Sequence, residues 1–187
     1  MSRQLYLDCD GVLADFDTGA TAILGLPPTP YEKRHGPVRF WRKLAEAPDF
    51  YFGLPLLPDA MALFEAVRHL DPIIFTGMPR GNWAAEQKVR WAAKHFPGTR
   101  IITTLARDKR DHCKEGDVLV DDQLRHAPLW REAGGIFVHH RNAASTLGKL
   151  AKYFPLEPQW AGAGAAVGAG NDTGGPSSRR IASKSSV

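Results

Sequence analysis

Five short apolar runs alternate along the chain with segments of helical periodicity. Each run is continuously apolar rather than alternating, which is typical of strands that are covered on both faces in a parallel sheet. Repeated strand–helix–strand units imply right-handed crossovers. The pattern therefore predicts an α/β fold, a three-layer Rossmann-like sandwich with a five-stranded parallel sheet. The predicted strands are 4–9, 72–77, 100–104, 117–122 and 135–140, and the predicted helices between and after them are 59–70, 81–96, 124–133 and 143–153.

The connection between the first and second predicted strands is much longer than one helix requires. This insertion, at about residues 16–58, contains helical pieces, several prolines and many aromatic side chains. We predict that it forms a small helical cap. The rings either form the core of the cap or face a ligand, and the sequence leaves both roles open. The aromatic residues are Phe16, Tyr31, Phe40, Trp41, Phe50, Tyr51 and Phe52.

The composition changes near residue 157. Residues 158–187 are rich in Gly, Ala and Ser and have almost no large apolar side chains, so we expect a disordered tail. Residues 1–157 fit one domain. Although the formal net charge is +4, the charged residues after 157 contribute half of it. The remainder is nearly neutral, so a nucleic-acid partner is not expected.

Hydropathy and cysteine usage bear on location. No apolar run approaches the ~20 residues that a membrane helix needs, so no membrane partner is expected. The N-terminal sequence has no signal-peptide pattern. Cys9 and Cys113 give neither a disulfide framework nor zinc-ligand spacing. We therefore expect a cytoplasmic protein. The sequence leaves open whether the chain forms a homodimer.

Polar side chains follow three of the predicted strands at their carboxyl ends. The first strand ends at Asp8 and Asp10, the second at Thr76 and Gly77, and the fourth at the pair 121–122, which is Asp-Asp. Ligands of open α/β sheets bind at this edge. Two acidic clusters that meet there repel each other unless a cation lies between them. Oxygen ligands of this kind suit Mg²⁺, which predicts a magnesium and phosphate site.

Four motifs in this order resemble those of the haloacid dehalogenase (HAD) superfamily of phosphohydrolases. The first is LDCDGVLAD, in which Asp8, Asp10, Gly11 and Asp15 match the family pattern. Thr76 after IIF resembles the second motif, a lysine follows as the third, and VLVDD resembles the fourth. The resemblance covers about residues 4–140.

The resemblance implies a role for each matching residue. Asp8 is the expected nucleophile, which forms a phosphoaspartate, and Asp10 is the expected general acid and base. Mg²⁺ is expected on Asp8, on the backbone carbonyl of Asp10 and on a carboxylate of the fourth motif. Asp122 is the preferred inner-sphere ligand and Asp121 the group that orients the lysine or a bound water, although the two could be exchanged. In addition, Gly11 is expected beneath the phosphate, and Thr76 is expected to donate a hydrogen bond to it.

The segment LARDKRDHCKEGD offers two lysines for the third motif, Lys109 and Lys114. Lys109 is preferred because RDK resembles the sequence of the 5′(3′)-deoxyribonucleotidases. The same subfamily resemblance implies that Phe16, Phe40 and Trp41 form a platform for a nucleobase. The chain departs from the subfamily at Gly77, where animal enzymes have a hydroxyl residue, at Gln123, where they have arginine, and in extra residues between Lys109 and Asp121. These departures put the base and sugar preference in doubt.

The sequence therefore predicts a Mg²⁺-dependent phosphomonoesterase that acts on (deoxy)ribonucleoside monophosphates, with a small phosphomonoester as its partner. A second hypothesis keeps this chemistry for another small phosphometabolite or for the 3′-phosphate end of a nucleic acid. The non-enzymatic hypothesis is a phosphoacceptor or a degenerate binding module. A degenerate module would usually have lost a catalytic group, whereas this chain retains all five of them: Asp8, Asp10, Thr76, Lys109 and Asp122.

Overall fold

The computed structural model describes residues 3–156. Five strands form one sheet in the order β3-β2-β1-β4-β5, and every pair is parallel. The predicted α/β fold with a five-stranded parallel sheet is thus confirmed. The strands are β1 (Leu5–Leu7), β2 (Ile73–Met78), β3 (Ile101–Leu105), β4 (Val118–Asp121) and β5 (Ile136–His139).

Helices cover both faces of the sheet because successive side chains of each strand point to opposite sides. Leu5 and Leu7 of β1 belong to one apolar cluster, whereas Tyr6 belongs to another that includes Trp130. The helices are α1 (Phe16–Leu24), α2 (Pro28–His35), α3 (Pro37–Ala45), α4 (Ala60–Val67), α5 (Ala85–His95), α6 (Ala127–Glu132) and α7 (Ala143–Leu150), with 3₁₀ helices at Arg68–Leu70, Ala106–His112 and Leu124–His126.

The observed helices are shorter than the predicted ones. The helix predicted at 81–96 begins at Ala85, because residues 80–84 form bends. The segments predicted at 59–70 and 124–133 each contain a 3₁₀ turn beside a short α-helix. The 3₁₀ helix Ala106–His112 was not predicted, because its sequence is polar and has no apolar period.

The insertion after β1 forms a helical cap made of α1, α2, α3 and the turns that follow them. Its two connections to the sheet lie side by side: Asp15 N donates to Pro55 O at 2.8 Å, and Leu57 N donates to Leu13 O at 2.9 Å. Inside the cap, Phe40 is 3% exposed. Tyr31, Phe50 and Tyr51 are buried as well, whereas Trp41 is 37% exposed. Most of the aromatic side chains therefore form a core of the cap, as one of the two predicted roles requires, and Trp41 does not.

The structure bears on the predicted absence of a membrane helix but not on the predicted tail. No helix within residues 3–156 is both long and apolar enough to cross a membrane. The predicted tail, residues 158–187, lies outside the described residues.

Candidate active site

Asp8 lies at the carboxyl end of the central strand, between the ends of β2 and β4. Lys109 connects it to the fourth strand: Nζ donates to Asp8 Oδ1 at 2.9 Å and to Asp121 Oδ2 at 2.8 Å. All three residues are buried. Burial by itself would lower the pKa of Lys109, but the two carboxylates outweigh it and raise the pKa above its ordinary value. The lysine therefore stays charged beside the expected nucleophile.

The position of Lys109 is set by the 3₁₀ helix Ala106–His112, which follows β3 directly. The other lysine considered for the third motif, Lys114, is exposed in the turn before β4, and its backbone N–H donates to Asp117 Oδ2 at 3.0 Å. The structure thus brings Lys109, and not Lys114, into the acidic cluster.

The two neighbouring aspartates after β4 have different partners. Both carboxylate oxygens of Asp121 accept hydrogen bonds, one from Lys109 and one from the backbone N–H of Gln123 at 2.7 Å. Asp122 Oδ2 accepts from the side-chain amide of Gln123 at 2.6 Å. Asp121 is therefore the group in contact with the lysine, and Asp122 is the one that is less committed to protein donors.

The carboxylate oxygens of this cluster could serve as ligands of a divalent cation. One carboxylate oxygen from each of Asp8, Asp121 and Asp122 lies within 4.8 Å of the others. Burial, together with the charges of Asp8 and Asp121, raises the pKa of Asp122 to about 7, and burial and Asp8 also raise the pKa of Asp121. The raised pKa values reflect repulsion among the carboxylates, which a bound cation would relieve. An all-oxygen set of carboxylates is the kind of site that Mg²⁺ prefers.

Asp10 is paired with a lysine that the sequence analysis did not identify. Lys88 Nζ donates to Asp10 Oδ2 at 2.5 Å and to Thr76 Oγ1 at 2.8 Å, and it lies 4.2 Å from the centre of the Tyr51 ring. The second oxygen of Asp10, Oδ1, is buried and has no hydrogen-bond partner within residues 3–156. Burial raises the pKa of Asp10, and the positive charge of Lys88 opposes this effect.

One sequence signal could have revealed Lys88. On α5 the buried residues are Lys88, Trp91 and Ala92, at spacings of three and four. A lysine on the apolar face of a helix is unexpected, because a buried ammonium is costly unless it is paired. Such a lysine predicts a buried carboxylate nearby, and Asp10 is that carboxylate.

A cavity of about 530 Å³ opens above the carboxylates and extends beneath the cap. Thr76 does not line it: the residue is fully buried, and its hydroxyl accepts from Lys88. A direct hydrogen bond from Thr76 to a phosphate remains a prediction. The predicted site residues that do line the cavity are Asp8, Asp10, Gly11, Phe16, Phe40, Trp41, Gly77, Lys109, Asp121 and Asp122.

The three predicted aromatic residues lie together at the cap end of this cavity. The Phe16 ring is 6.5 Å from the Phe40 ring and 6.3 Å from the Trp41 ring, measured between centroids. Trp41 is 37% exposed, whereas Phe40 is almost fully covered by the cap. Tyr51, which was not predicted as a site residue, also lines the cavity. The exposed ring face available to a ligand is therefore mainly that of Trp41, beside Phe16.

Other polar residues near the motifs have structural contacts. The Asp15 side chain caps α1 by accepting from Thr18 N at 3.0 Å. His139 Nε2 lies 3.2 Å from the backbone oxygen of Asp122, so it supports the loop that carries this aspartate. Cys9 is buried in the apolar cluster on the opposite side of β1 from Tyr6, as strand alternation predicts.

Comparison with known proteins finds a sequence relative in a bacteriophage. A protein of Vibrio phage KVP40 named "Putative 5'(3')-deoxyribonucleotidase" is 24% identical over 123 residues, which cover 65% of this chain and 67% of the phage protein. No protein-family model matches the chain. The sequence match supports a phosphohydrolase of the HAD superfamily, as the four motifs predicted.

Two solved structures resemble the fold. A hydrolase from Streptococcus pneumoniae TIGR4 has a TM-score of 0.48 at 15% identity, over 81% of this chain and all (100%) of that one. A "putative haloacid dehalogenase-like hydrolase" from Burkholderia xenovorans LB400 has a TM-score of 0.47 at 14% identity, over 83% of this chain and 92% of that one. Likeness at this level carries no information on substrate or mechanism.

Proposed function

We propose that this protein is a Mg²⁺-dependent phosphomonoesterase that acts through a phosphoaspartate intermediate on nucleoside monophosphates. The observation that carries the proposal is the meeting of Asp8, Lys109 and Asp10 at the floor of one cavity, with Asp8 held by the lysine. A carboxylate nucleophile, a cation and a second carboxylate are the groups that two-step phosphoryl transfer needs.

In the first step, a carboxylate oxygen of Asp8 attacks phosphorus and the bond from phosphorus to the ester oxygen breaks. Asp10 gives its proton to that oxygen, so that the leaving group departs as a neutral alcohol. Lys109, in contact with Asp8 Oδ1, offsets charge on the phosphoryl oxygens as they approach the acidic cluster.

In the second step, water attacks the phosphoaspartate and the bond from phosphorus to Asp8 breaks. Asp10, now a carboxylate, takes a proton from that water, and inorganic phosphate leaves. Together the two half-reactions return Asp8 and Asp10 to their starting states. The overall reaction therefore needs no other reactant than the phosphomonoester and water.

The residues that would hold Mg²⁺ are Asp8 and Asp122, with Asp121 beside them in contact with Lys109. When bound, the ion supplies positive charge that screens the carboxylates from the incoming phosphate. Without such a cation, the excess of carboxylates at the cluster would repel the substrate.

The aromatic end of the cavity supports a nucleotide as the substrate. Phe16 and Trp41 line the same cavity as Asp8, so one molecule that has a phosphate at one end and a flat ring at the other could contact both. Stacking of a base on an aromatic side chain is typically worth ~1–3 kcal/mol. The name of the phage relative, a deoxyribonucleotidase, is consistent with this substrate class.

The proposal is tested by measuring phosphate release from 5′- and 3′-nucleoside monophosphates, sugar phosphates and p-nitrophenyl phosphate, with Mg²⁺ and with EDTA. We expect Mg²⁺-dependent release that is strongest for a nucleotide. Release from another phosphomonoester alone would retain the mechanism and reject the nucleotide. If wild-type protein releases nothing from any substrate, the proposed function is wrong. Asp8→Asn protein, purified in parallel, controls for contaminating phosphatases.

A further inference from the structure

We propose that Lys88 is a positioning residue for proton transfer: it fixes the Asp10 carboxylate beside Asp8 and is itself fixed by Thr76 and Tyr51. The inference rests on the proposed function and assigns a role to a residue that matches none of the four motifs. It also assigns a role to Thr76, as the anchor of this lysine rather than as a direct contact of the phosphate.

The first support is the location of the ammonium group. Lys88 is 1% exposed, in the middle of α5 and on its apolar face. Bringing an ammonium out of water costs several kcal/mol, and a buried ion pair seldom stabilises a fold more than apolar side chains would. A methionine or leucine would cover the same face of α5 without that cost. Fold stability therefore does not account for a lysine at this position.

The second support is the set of groups around Nζ. Asp10, Thr76 and Tyr51 come from three different segments of the chain: the loop after β1, strand β2 and the cap. A carboxylate, a hydroxyl oxygen and the face of an aromatic ring all attract a cation. With three such groups around it, the ammonium has one well-defined position, so it can hold Asp10 in one position too.

The third support is the difference between the two oxygens of Asp10. Oδ2 accepts from Lys88, whereas Oδ1 has no hydrogen-bond partner among residues 3–156. Lys88 is thus the hydrogen-bonding group that orients this side chain. Without it, Asp10 would be free to rotate within the wall of the cavity. A general acid or base must lie within hydrogen-bond reach of the proton that it transfers, so loss of this restraint affects the steps in which Asp10 acts.

The test is Lys88→Met, which keeps the length and apolar stem of the side chain, with Lys94→Met as the matched control. Lys94 lies on the same helix and is exposed. The substrate is p-nitrophenyl phosphate, and the release of p-nitrophenolate is followed after rapid mixing of protein and substrate. Its leaving group, p-nitrophenolate, departs without a proton, so formation of the phosphoenzyme does not need Asp10. Hydrolysis of the phosphoenzyme does need Asp10, because water must be deprotonated.

For Lys88→Met we expect a burst of p-nitrophenolate at a rate constant within about fivefold of wild type, followed by turnover that is reduced about 100-fold, the range of general acid–base catalysis. Phosphoenzyme trapped with acid should accumulate. With an alkyl phosphate such as a nucleoside monophosphate, the burst itself should be lost, because that leaving group needs a proton. Lys94→Met should behave as wild type.

Several results would overturn the inference. One is turnover of Lys88→Met close to that of wild type, and another is a loss confined to KM. A third is an equal loss of burst rate and turnover, which would indicate a structural role. Thermal unfolding shows whether Lys88→Met is folded. A second variant, Thr76→Val, removes the hydroxyl that accepts from Lys88 and keeps the size of the side chain. It should give the same burst of p-nitrophenolate with a smaller reduction in turnover. A wild-type protein without phosphatase activity would instead overturn the proposed function, and this inference with it.

Discussion

The carboxyl group of Asp122 occupies the space that a side chain on Gly11 would need. A Cβ atom built on Gly11 would lie 2.6 Å from both Cγ and Oδ2 of Asp122, and the φ angle of Gly11 is +75°. The loop after β1 and the loop after β4 therefore approach each other as closely as the backbone of a glycine allows. This approach places Asp122 within reach of Asp8.

We expect Gly11→Ala to destabilise the protein more than Gly98→Ala does. Both glycines have a positive φ, +75° and +80°, but a Cβ on Gly98 would meet no atom within 4 Å. The strain of a positive φ costs about 1–3 kcal/mol in either variant, and Gly11→Ala must also displace Asp122. Urea unfolding with and without Mg²⁺ measures the difference. Equal losses of unfolding free energy in the two variants would show that displacing Asp122 costs no stability.

Asp8→Asn should abolish turnover and leave the fold intact. We expect a loss of more than about 1000-fold, since removal of a nucleophile disables the covalent route. The asparagine oxygen can still accept from Lys109, so the change in structure should be small. Phosphate release and circular dichroism check the two halves of this prediction. Substantial activity in the folded variant would rule out Asp8 as the nucleophile.

Magnesium should raise the melting temperature of the wild-type protein. At 100 times its dissociation constant, a ligand stabilises the folded state by about 2.7 kcal/mol, which is roughly 5–10 °C for a chain of this size. Asp122→Asn should remove most of this increase. Glu65→Gln, at an exposed position on α4 that does not line the cavity, should retain it. An undiminished increase for Asp122→Asn would place the ion elsewhere.

Phe40→Ala should weaken nucleotide binding more than it slows hydrolysis of p-nitrophenyl phosphate. Because Phe40 is 3% exposed, this variant should also lose about 3–5 kcal/mol of stability. Trp41→Ala is the cleaner variant, since Trp41 is 37% exposed and lines the cavity. We expect it to raise KM for a nucleotide about 5–150-fold, which corresponds to ~1–3 kcal/mol of stacking, with KM for p-nitrophenyl phosphate nearly unchanged. Equal effects on KM for the two substrates would indicate that the rings only stabilise the cap and do not contact the base.

Alkylation of Cys113 should be slow at neutral pH and should accelerate only in strongly alkaline solution. Burial, together with the charge of Asp117, raises the pKa of the Cys113 thiol to about 11. Since the thiolate is the reactive form, the rate should increase with pH up to about 11, whereas the unfolded chain should level off near the ordinary value of about 8.5. Iodoacetamide labelling followed by mass spectrometry separates Cys113 from the buried Cys9. A midpoint near the ordinary value in the folded protein would contradict the prediction.

The fold could be predicted because the chain marks each strand with a continuous apolar run. IIF and VLV, for instance, lie within β2 and β4, and the polar groups that follow them meet at one edge of the sheet. The strand order, which only the structure shows, puts β1 next to β4 and so places Asp8 beside Asp121. The relation of Lys109 to this pair could be predicted only by resemblance, because the polar 3₁₀ helix that carries it has no apolar period.

The contacts of Lys88 with Asp10 and Thr76 could not be predicted from the sequence pattern. Periodicity can place Lys88 on the same face of α5 as Trp91 and Ala92, but it does not identify the partner, Asp10, which is 78 positions away in the chain. Thr76 follows an apolar strand, as a phosphate-binding residue would, yet its hydroxyl faces the lysine. Both contacts depend on how α5 packs against the sheet, which a single sequence does not specify.

The chain enters and leaves the cap at adjacent positions, where hydrogen bonds join Leu13–Asp15 to Pro55–Leu57. This arrangement bears on how the selectivity of such a protein could change in evolution. Everything between these two crossings can be lengthened, shortened or exchanged while the backbone on either side stays in place. Asp8, Asp10, Lys109 and Asp122 all lie outside that stretch. Replacement of one uninterrupted block of codons could therefore change the selectivity, provided that the new cap kept an aromatic ring against Lys88, as Tyr51 does here.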